Sequence, residues 1–122
     1  CGINNTIFTE MSRLKKEKLS FYPSQLLYVE SDGNYVNFHM RHEGTIKKKV
    51  IRNSISSIEE QLSSLPYFFR THRAFIVNVA QIAEKKGNSS GYRLYFKDMK
   101  AEIPVSRKNT KAFEEIFSDY HL

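Results

Sequence analysis

Cysteine is almost absent: in 122 residues the only one is Cys1. A single thiol forms no intramolecular disulfide, which fits a reducing compartment. Tryptophan is missing, and proline occurs only three times. The five glycines, Gly2, Gly33, Gly44, Gly87 and Gly91, are isolated turn residues rather than a phosphate-cradling loop. No run approaches the roughly 18 apolar residues that a membrane-spanning helix needs. No basic start, apolar stretch and small-residue cleavage site marks a secretory signal. A cytoplasmic setting without membrane contact is expected. The chain opens on Cys rather than Met, so a piece of a longer protein is expected.

Acidic residues are also in short supply. Lys plus Arg is 19 against 13 Asp plus Glu, a formal net charge of +6. From Pro66 to Lys111, ten basic residues stand against Glu84, Asp98 and Glu102 alone. Lys47, Lys48 and Lys49 with Arg52 form a second basic cluster, and Arg13, Lys15, Lys16 and Lys18 a third. One basic face, or scattered solvated lysines, would both fit this distribution. A basic face implies an acidic partner, most often nucleic acid.

Catalytic constellations are missing. His39 and His42 lie three apart beside Glu43, with no further His or Cys to complete a metal site. The pairs Glu59-Glu60 and Glu114-Glu115 fall on expected helices and read as solvated faces. No enzyme activity, metal or cofactor is expected.

What the chain has in quantity is strand pattern. Residues 1–18 read as a lead-in or linker, with Ile7, Met11 and Leu14 at the spacing of a short helix. Residues 19–122 read as one domain. Leu26 to Ser31 is apolar and rich in strand formers, and Asp32-Gly33-Asn34 signals a turn. Tyr35 to Met40 alternates, which predicts Val36, Phe38 and Met40 in a core and Tyr35, Asn37 and His39 facing outward. Thr45 to Ile51 completes an antiparallel meander. Ile55, Ile58, Leu62 and Leu65 predict a helix, with Ser56 and Glu59 as its capping box and Pro66 as its stop. Strands return at Phe68 to Thr71, Ala74 to Val79, Gln81 to Lys85, Tyr92 to Phe96 and Ala101 to Val105. Phe113, Ile116, Phe117 and Tyr120 line a closing helix. The class is mainly β with one or two short helices.

The notable polar residues fall where strands end. Asn34 tips the first hairpin, Thr71-His72-Arg73 separates two apolar strands, and Ser106-Arg107-Lys108 joins the last strand to the last helix. Loops on a β scaffold commonly carry recognition residues. Arg and Asn read base edges with paired hydrogen bonds, and Arg also positions phosphates. Each residue also has a plain structural reading. Asn34 would then be a turn former, Arg107 part of a helix start, and His72 a hydrogen-bonded core histidine. For His72 the structural reading is the favoured one.

At these residues the sequence resembles the LytTR family of bacterial DNA-binding domains. Three ordered blocks carry the resemblance: Leu27-Tyr28-Val29-Glu30-Ser31-Asp32-Gly33-Asn34-Tyr35-Val36, Phe69-Arg70-Thr71-His72-Arg73-Ala74-Phe75-Ile76-Val77-Asn78, and Ile103-Pro104-Val105-Ser106-Arg107. Ala74 stands where the family often has Ser. The resemblance implies an elongated antiparallel architecture of stacked small sheets. It implies the output end of a two-component response regulator, behind a receiver domain. Loops of such a domain enter successive major grooves, usually at paired direct repeats, and bend the DNA. By motif position, base-reading roles fall on Asn34 and Arg107, and Arg73 takes the other DNA-contacting loop position. His72 and Asn78 match motif positions with a structural character. Charge alone adds Lys47, Lys48, Lys49, Arg70 and Lys108 as phosphate contacts. Two other functions fit the same composition. One is a basic module binding acidic protein or lipid. The other is a single-strand binder stacking bases on Tyr28, Tyr35, Phe38, Tyr92, Tyr95 and Phe96.

Overall fold

A computed structural model describes residues 8–11 and 18–121, with side chains described from Phe21 onward. Strands β1 (Phe8–Met11) and β2 (Lys18–Phe21) pair antiparallel. Met11 is therefore in a strand, not in the short helix its spacing with Ile7 and Leu14 suggests. The other two residues lie outside the described residues.

The main sheet has five strands. They are β3 (Leu26–Asp32), β4 (Tyr35–His42), β5 (Thr45–Arg52), β6 (Phe68–His72) and β7 (Phe75–Asn78). Their order is β5-β4-β3-β7-β6, all antiparallel. A second sheet holds β8 (Ile82–Asn88), β9 (Gly91–Phe96) and β10 (Ile103–Val105) in the order β10-β9-β8. Helix α1 spans Ile55–Leu62 and α2 spans Thr110–Tyr120. The expected mainly β class, with small antiparallel sheets and two short helices, is what the chain adopts.

Two cores lie on opposite faces of the five-stranded sheet. Val29, Val36, Phe38, Met40 and Ile51 pack against Ile55, Ile58 and Leu62 of α1. Tyr28, Val77, Leu94, Phe96, Ile103 and Phe113 join the other face to the second sheet and α2. Phe38 and Phe113 are fully buried. Burying such a side chain contributes about 1.5–3 kcal/mol. A register shift between Leu26 and Tyr28 turns Leu27 and Tyr28 both toward the second core. Such a bulge places two residues against one on the partner strand.

Because both faces are covered, the alternation in β4 does not separate core from solvent. Val36, Phe38 and Met40 are buried as expected. Asn37 is also buried, and His39 is half-buried with its ring stacked on Tyr28 at 4.2 Å. Both belong to the interlayer side rather than facing solvent. Of that trio, only Tyr35 is open to solvent.

The start of α1 also differs from the expected one. Ser54 is its N-cap, and its hydroxyl accepts from the Ser57 amide at 3.2 Å. Ser56 and Glu59 lie inside the helix and contact Arg70 instead. The helix ends at Leu62, four residues ahead of Pro66, and Leu65 packs on the core from beyond its end.

Candidate nucleic-acid interface

Hydrogen bonds bring the strand-end loops together. The Ser31 amide donates to the Ala74 carbonyl at 2.8 Å. That bond sets the β3–β4 and β6–β7 turns at the same end of the main sheet. Gly33, at φ +63°, opens the first turn, and Asn34 follows it, exposed. Asn34 sits in the two-residue turn beyond the Asp32–Tyr35 pair, so it projects roughly 7 Å past the bond. Arg52 reaches this end too, with its guanidinium 5.7 Å from the Tyr35 ring centroid.

The β6–β7 turn carries Arg73, which is exposed. Behind it stands Arg70. Its Nη1 pairs with Glu59 at 2.8 Å and donates to Ser56 Oγ at 3.2 Å, while Nη2 donates to the Arg73 carbonyl at 2.5 Å. One guanidinium thus fastens the turn to α1. The planar fork of Arg serves several acceptors at once, which a point-charge ammonium does less well. Arg70, expected from charge as a phosphate contact, has these partners within the fold. His72 accepts from the Ala74 amide through Nδ1 at 3.1 Å and sets its ring edge-on to Phe75. It shapes the turn rather than sitting in the deep core.

The third loop is docked on the second. The Thr71 carbonyl accepts from the Ser106 amide at 2.9 Å, from Ser106 Oγ at 3.2 Å and from Asn109 Nδ2 at 3.1 Å. This clamp presents Arg107 and Lys108, both exposed, beside Arg73. An open cleft of about 470 Å³ between the loops is lined by Arg70, His72, Arg73, Ser106, Lys108 and Asn109, with Glu59 at one side. Among the described residues, Arg73, Arg107 and Lys108 form no ion pair. Three cations are left available to an anionic partner.

The lysine cluster is elsewhere. Lys49, Lys48 and Lys47 stand opposite Phe38, His39 and Met40 along β5. They run down the side of the sheet, away from the loop end. Lys49 is about 10 Å and Lys47 about 17 Å from the level of Tyr35, at strand spacing. Asn78 is buried, donating to the Leu26 carbonyl at 2.9 Å and accepting from the Ala80 amide at 3.1 Å. Its structural character is borne out.

Beneath the Asn34 hairpin lies a polar cluster that strand alternation does not reveal. Glu30 Oε1 is 3.3 Å from His39 Nε2 and 3.4 Å from Asn37 Nδ2. Burial pushes the His39 imidazole below its ordinary value, with Glu30 pulling the other way. Burial, with Glu30 adding to it, drives the Tyr28 phenol up to about 12. Asn109 and Glu59 were also missed as interface supports. Their partners lie 38 and 11 residues away, at separations that no local pattern encodes.

The aromatic platform needed for single-strand stacking is mostly sequestered. Tyr28, Phe38, Tyr92 and Phe96 are all buried. Tyr95 donates its hydroxyl to Glu102 at 2.8 Å. Only Tyr35, 45% exposed, offers an open ring at the loop end.

A β scaffold that gathers basic loops at one end defines the class. Residues 16–118 match the model of the LytTr DNA-binding domain, and the chain belongs to this family. It is 30% identical over 110 residues to the sensory transduction protein LytT of Oceanobacillus iheyensis, covering 88% of this chain and 43% of the relative. It is 31% identical over 107 residues to the transcriptional regulatory protein YpdB of Escherichia coli K12, covering 84% and 41%. The chain therefore spans less than half the length of these curated relatives. A solved LytTr DNA-binding domain from Bacillus cereus superposes with a TM-score of 0.69 at 20% identity, covering 91% of this chain and 95% of that one, and supports the fold.

Proposed function

We propose that this domain reads double-stranded DNA sequence specifically, as the output part of a cytoplasmic bacterial response regulator. The observation that carries the reading is the gathering of Asn34, Arg73 and Arg107 at one end of the scaffold, on three loops fixed to one another. Two strand spacings, about 10 Å, separate the first two loops, and the third is hydrogen-bonded directly to the second. That row covers much of one B-DNA turn, roughly 34 Å, once side-chain reach is added. Asn34 and Arg107, at its ends, are assigned to successive major grooves. Arg73, between them, takes the remaining base-reading position. Lys108 contacts phosphate next to Arg107. Lys49, Lys48 and Lys47 are met in turn by a duplex that bends toward β5. Arg70 holds Arg73 in place.

Residues 1–18 form the lead-in from an upstream receiver or other sensory domain, and residues 19–122 the reading domain. Two copies pair on direct repeats. The test is selection of bound sequences from a randomised duplex library by the purified domain at moderate salt. Enrichment of a short motif repeated in one orientation, about 10 bp apart, supports the reading. Salt-sensitive retention of bulk DNA without enrichment overturns it.

A further inference from the structure

We infer that the β8–β9 hairpin is a fourth DNA-contacting loop, with Lys86 and Arg93 forming a seat for a backbone phosphate beside the Arg107 loop. The inference rests on the duplex-DNA reading above. None of the three motif blocks includes this hairpin.

Its position comes from Thr110. The buried Oγ1 of Thr110 lies 2.9 Å from the Ser89 carbonyl and 3.0 Å from the Arg107 carbonyl. A hydroxyl has one proton, so that proton is shared between hairpin tip and reading loop. The tip is itself set by Asn88, whose Oδ1 accepts from the Ser90 amide at 2.8 Å. Gly87, at φ +122°, admits no larger residue, since a Cβ there would meet the Gly91 carbonyl oxygen at 2.3 Å. The hairpin is thus fixed in shape and fastened to the Arg107 loop.

Its charge is unreturned within the fold. Lys86 and Arg93 are directly opposed cross-strand partners, and both are exposed. Like charges in that relation destabilise a sheet. Among the described residues neither forms an ion pair. Glu84 and Glu102 belong to the next row of this face, where Glu102 is engaged by Tyr95. Lys86 Nζ rests 5.4 Å from the Tyr95 ring centroid. Between the two cations lies an open cleft of about 380 Å³, lined also by Gly87, Asn88, Ser90 and Pro104. Arg93 is the register partner of Pro104, three residues before Arg107, so it sits about 10 Å from the reading residue. That separation matches a groove wall flanking an Arg inserted into a groove about 12 Å wide. A phosphate diester seated there offsets the repulsion between the two cations.

The test uses the purified chain and a duplex obtained by the selection above, with a scrambled duplex of equal length. Lys86→Ala and Arg93→Ala should each raise Kd about 3- to 10-fold on both duplexes. Each should flatten the slope of log K against log salt by about one unit. Lys100→Ala removes one positive charge from the β9–β10 turn and should leave both readouts unchanged. Melting temperatures of the variants should be no lower than that of the parent, since Lys86→Ala or Arg93→Ala removes one of two repelling charges. Wild-type binding with unchanged Kd and slope in the Lys86 and Arg93 variants overturns the fourth contact and leaves the DNA reading intact. Equal losses in Lys100→Ala overturn it too, because bulk charge then accounts for the effect. Failure of the unaltered chain to bind any duplex overturns both.

Discussion

The side-chain amide of Asn109 donates to the backbone carbonyl of Thr71 at 3.1 Å, across 38 residues of sequence. The same carbonyl takes the amide and hydroxyl of Ser106. Thr71 is two residues before Arg73, and Asn109 two after Arg107. The bond therefore sets the distance between Arg73 and Arg107, the two arginines proposed to face DNA, while touching neither side chain.

Asn109→Ala should accordingly cost roughly 0.5–1.5 kcal/mol of stability. It should also reduce discrimination between selected and scrambled duplex while leaving the salt slope alone. Thermal melting and paired binding titrations check this. Undiminished discrimination would mean the loops hold their spacing without the amide.

Arg107→Ala should weaken binding to the selected duplex by about 1–3 kcal/mol and relax one position of the site. Lys48→Ala should instead lower affinity alike for all sequences and reduce the salt slope by about one. Titrations against single-base variants of the site separate the two. Equal losses on every variant would reassign Arg107 to the backbone.

Arg70→Lys keeps the charge and removes the fork that spans Glu59, Ser56 and the Arg73 carbonyl. A positioning role predicts a loss of roughly 1 kcal/mol in stability, the pair being partly exposed, together with weaker discrimination. A phosphate role predicts near-parent affinity. Melting and binding of this one variant decide between them.

His39 gives the domain a pH dependence. Burial lowers its folded pKa below the ordinary 6.5, with Glu30, Tyr28 and Lys48 as its charged or titratable neighbours. Between the folded value and 6.5 the unfolded chain binds more protons, so stability rises with pH there. The contribution is complete above 6.5, falls as pH drops below it, and levels off once the folded imidazole is also protonated. Denaturant midpoints from pH 7.5 downward should show this decline, and His39→Gln should flatten it. An equal decline in His39→Gln would move the cause to other groups.

The sequence carried the parts of the fold that depend on near neighbours. The Leu26–Ser31 run, the Asp32-Gly33-Asn34 turn and the Phe113–Tyr120 face each report their own backbone through local pattern. Asn37 and His39 misled because period-two alternation names two faces without saying what covers the second. Ser56 and Glu59 matched a capping pattern, but Ser54 lay closer to the true start, and a long-range arginine claimed both. The loop residues of the site were legible because they punctuate strands. Their supports, Arg70 and Asn109, act through contacts fixed only when β6, α1 and the β10–α2 loop meet. The β8–β9 tip carries no local sign of its fastening, because Thr110 lies 21 residues further on.

One consequence follows from the place of Lys47, Lys48 and Lys49 on β5. Among the described residues that strand is the outermost of its sheet, and its eight residues leave a row of backbone donors and acceptors with no strand alongside. Such a border invites a second chain to zip alongside it, the first step toward aggregation. Three consecutive ammonium groups, all exposed, repel the same border of another copy. Such an edge charge is a common guard against edge-to-edge pairing. Neutralising all three should therefore leave the border open to strand pairing between copies.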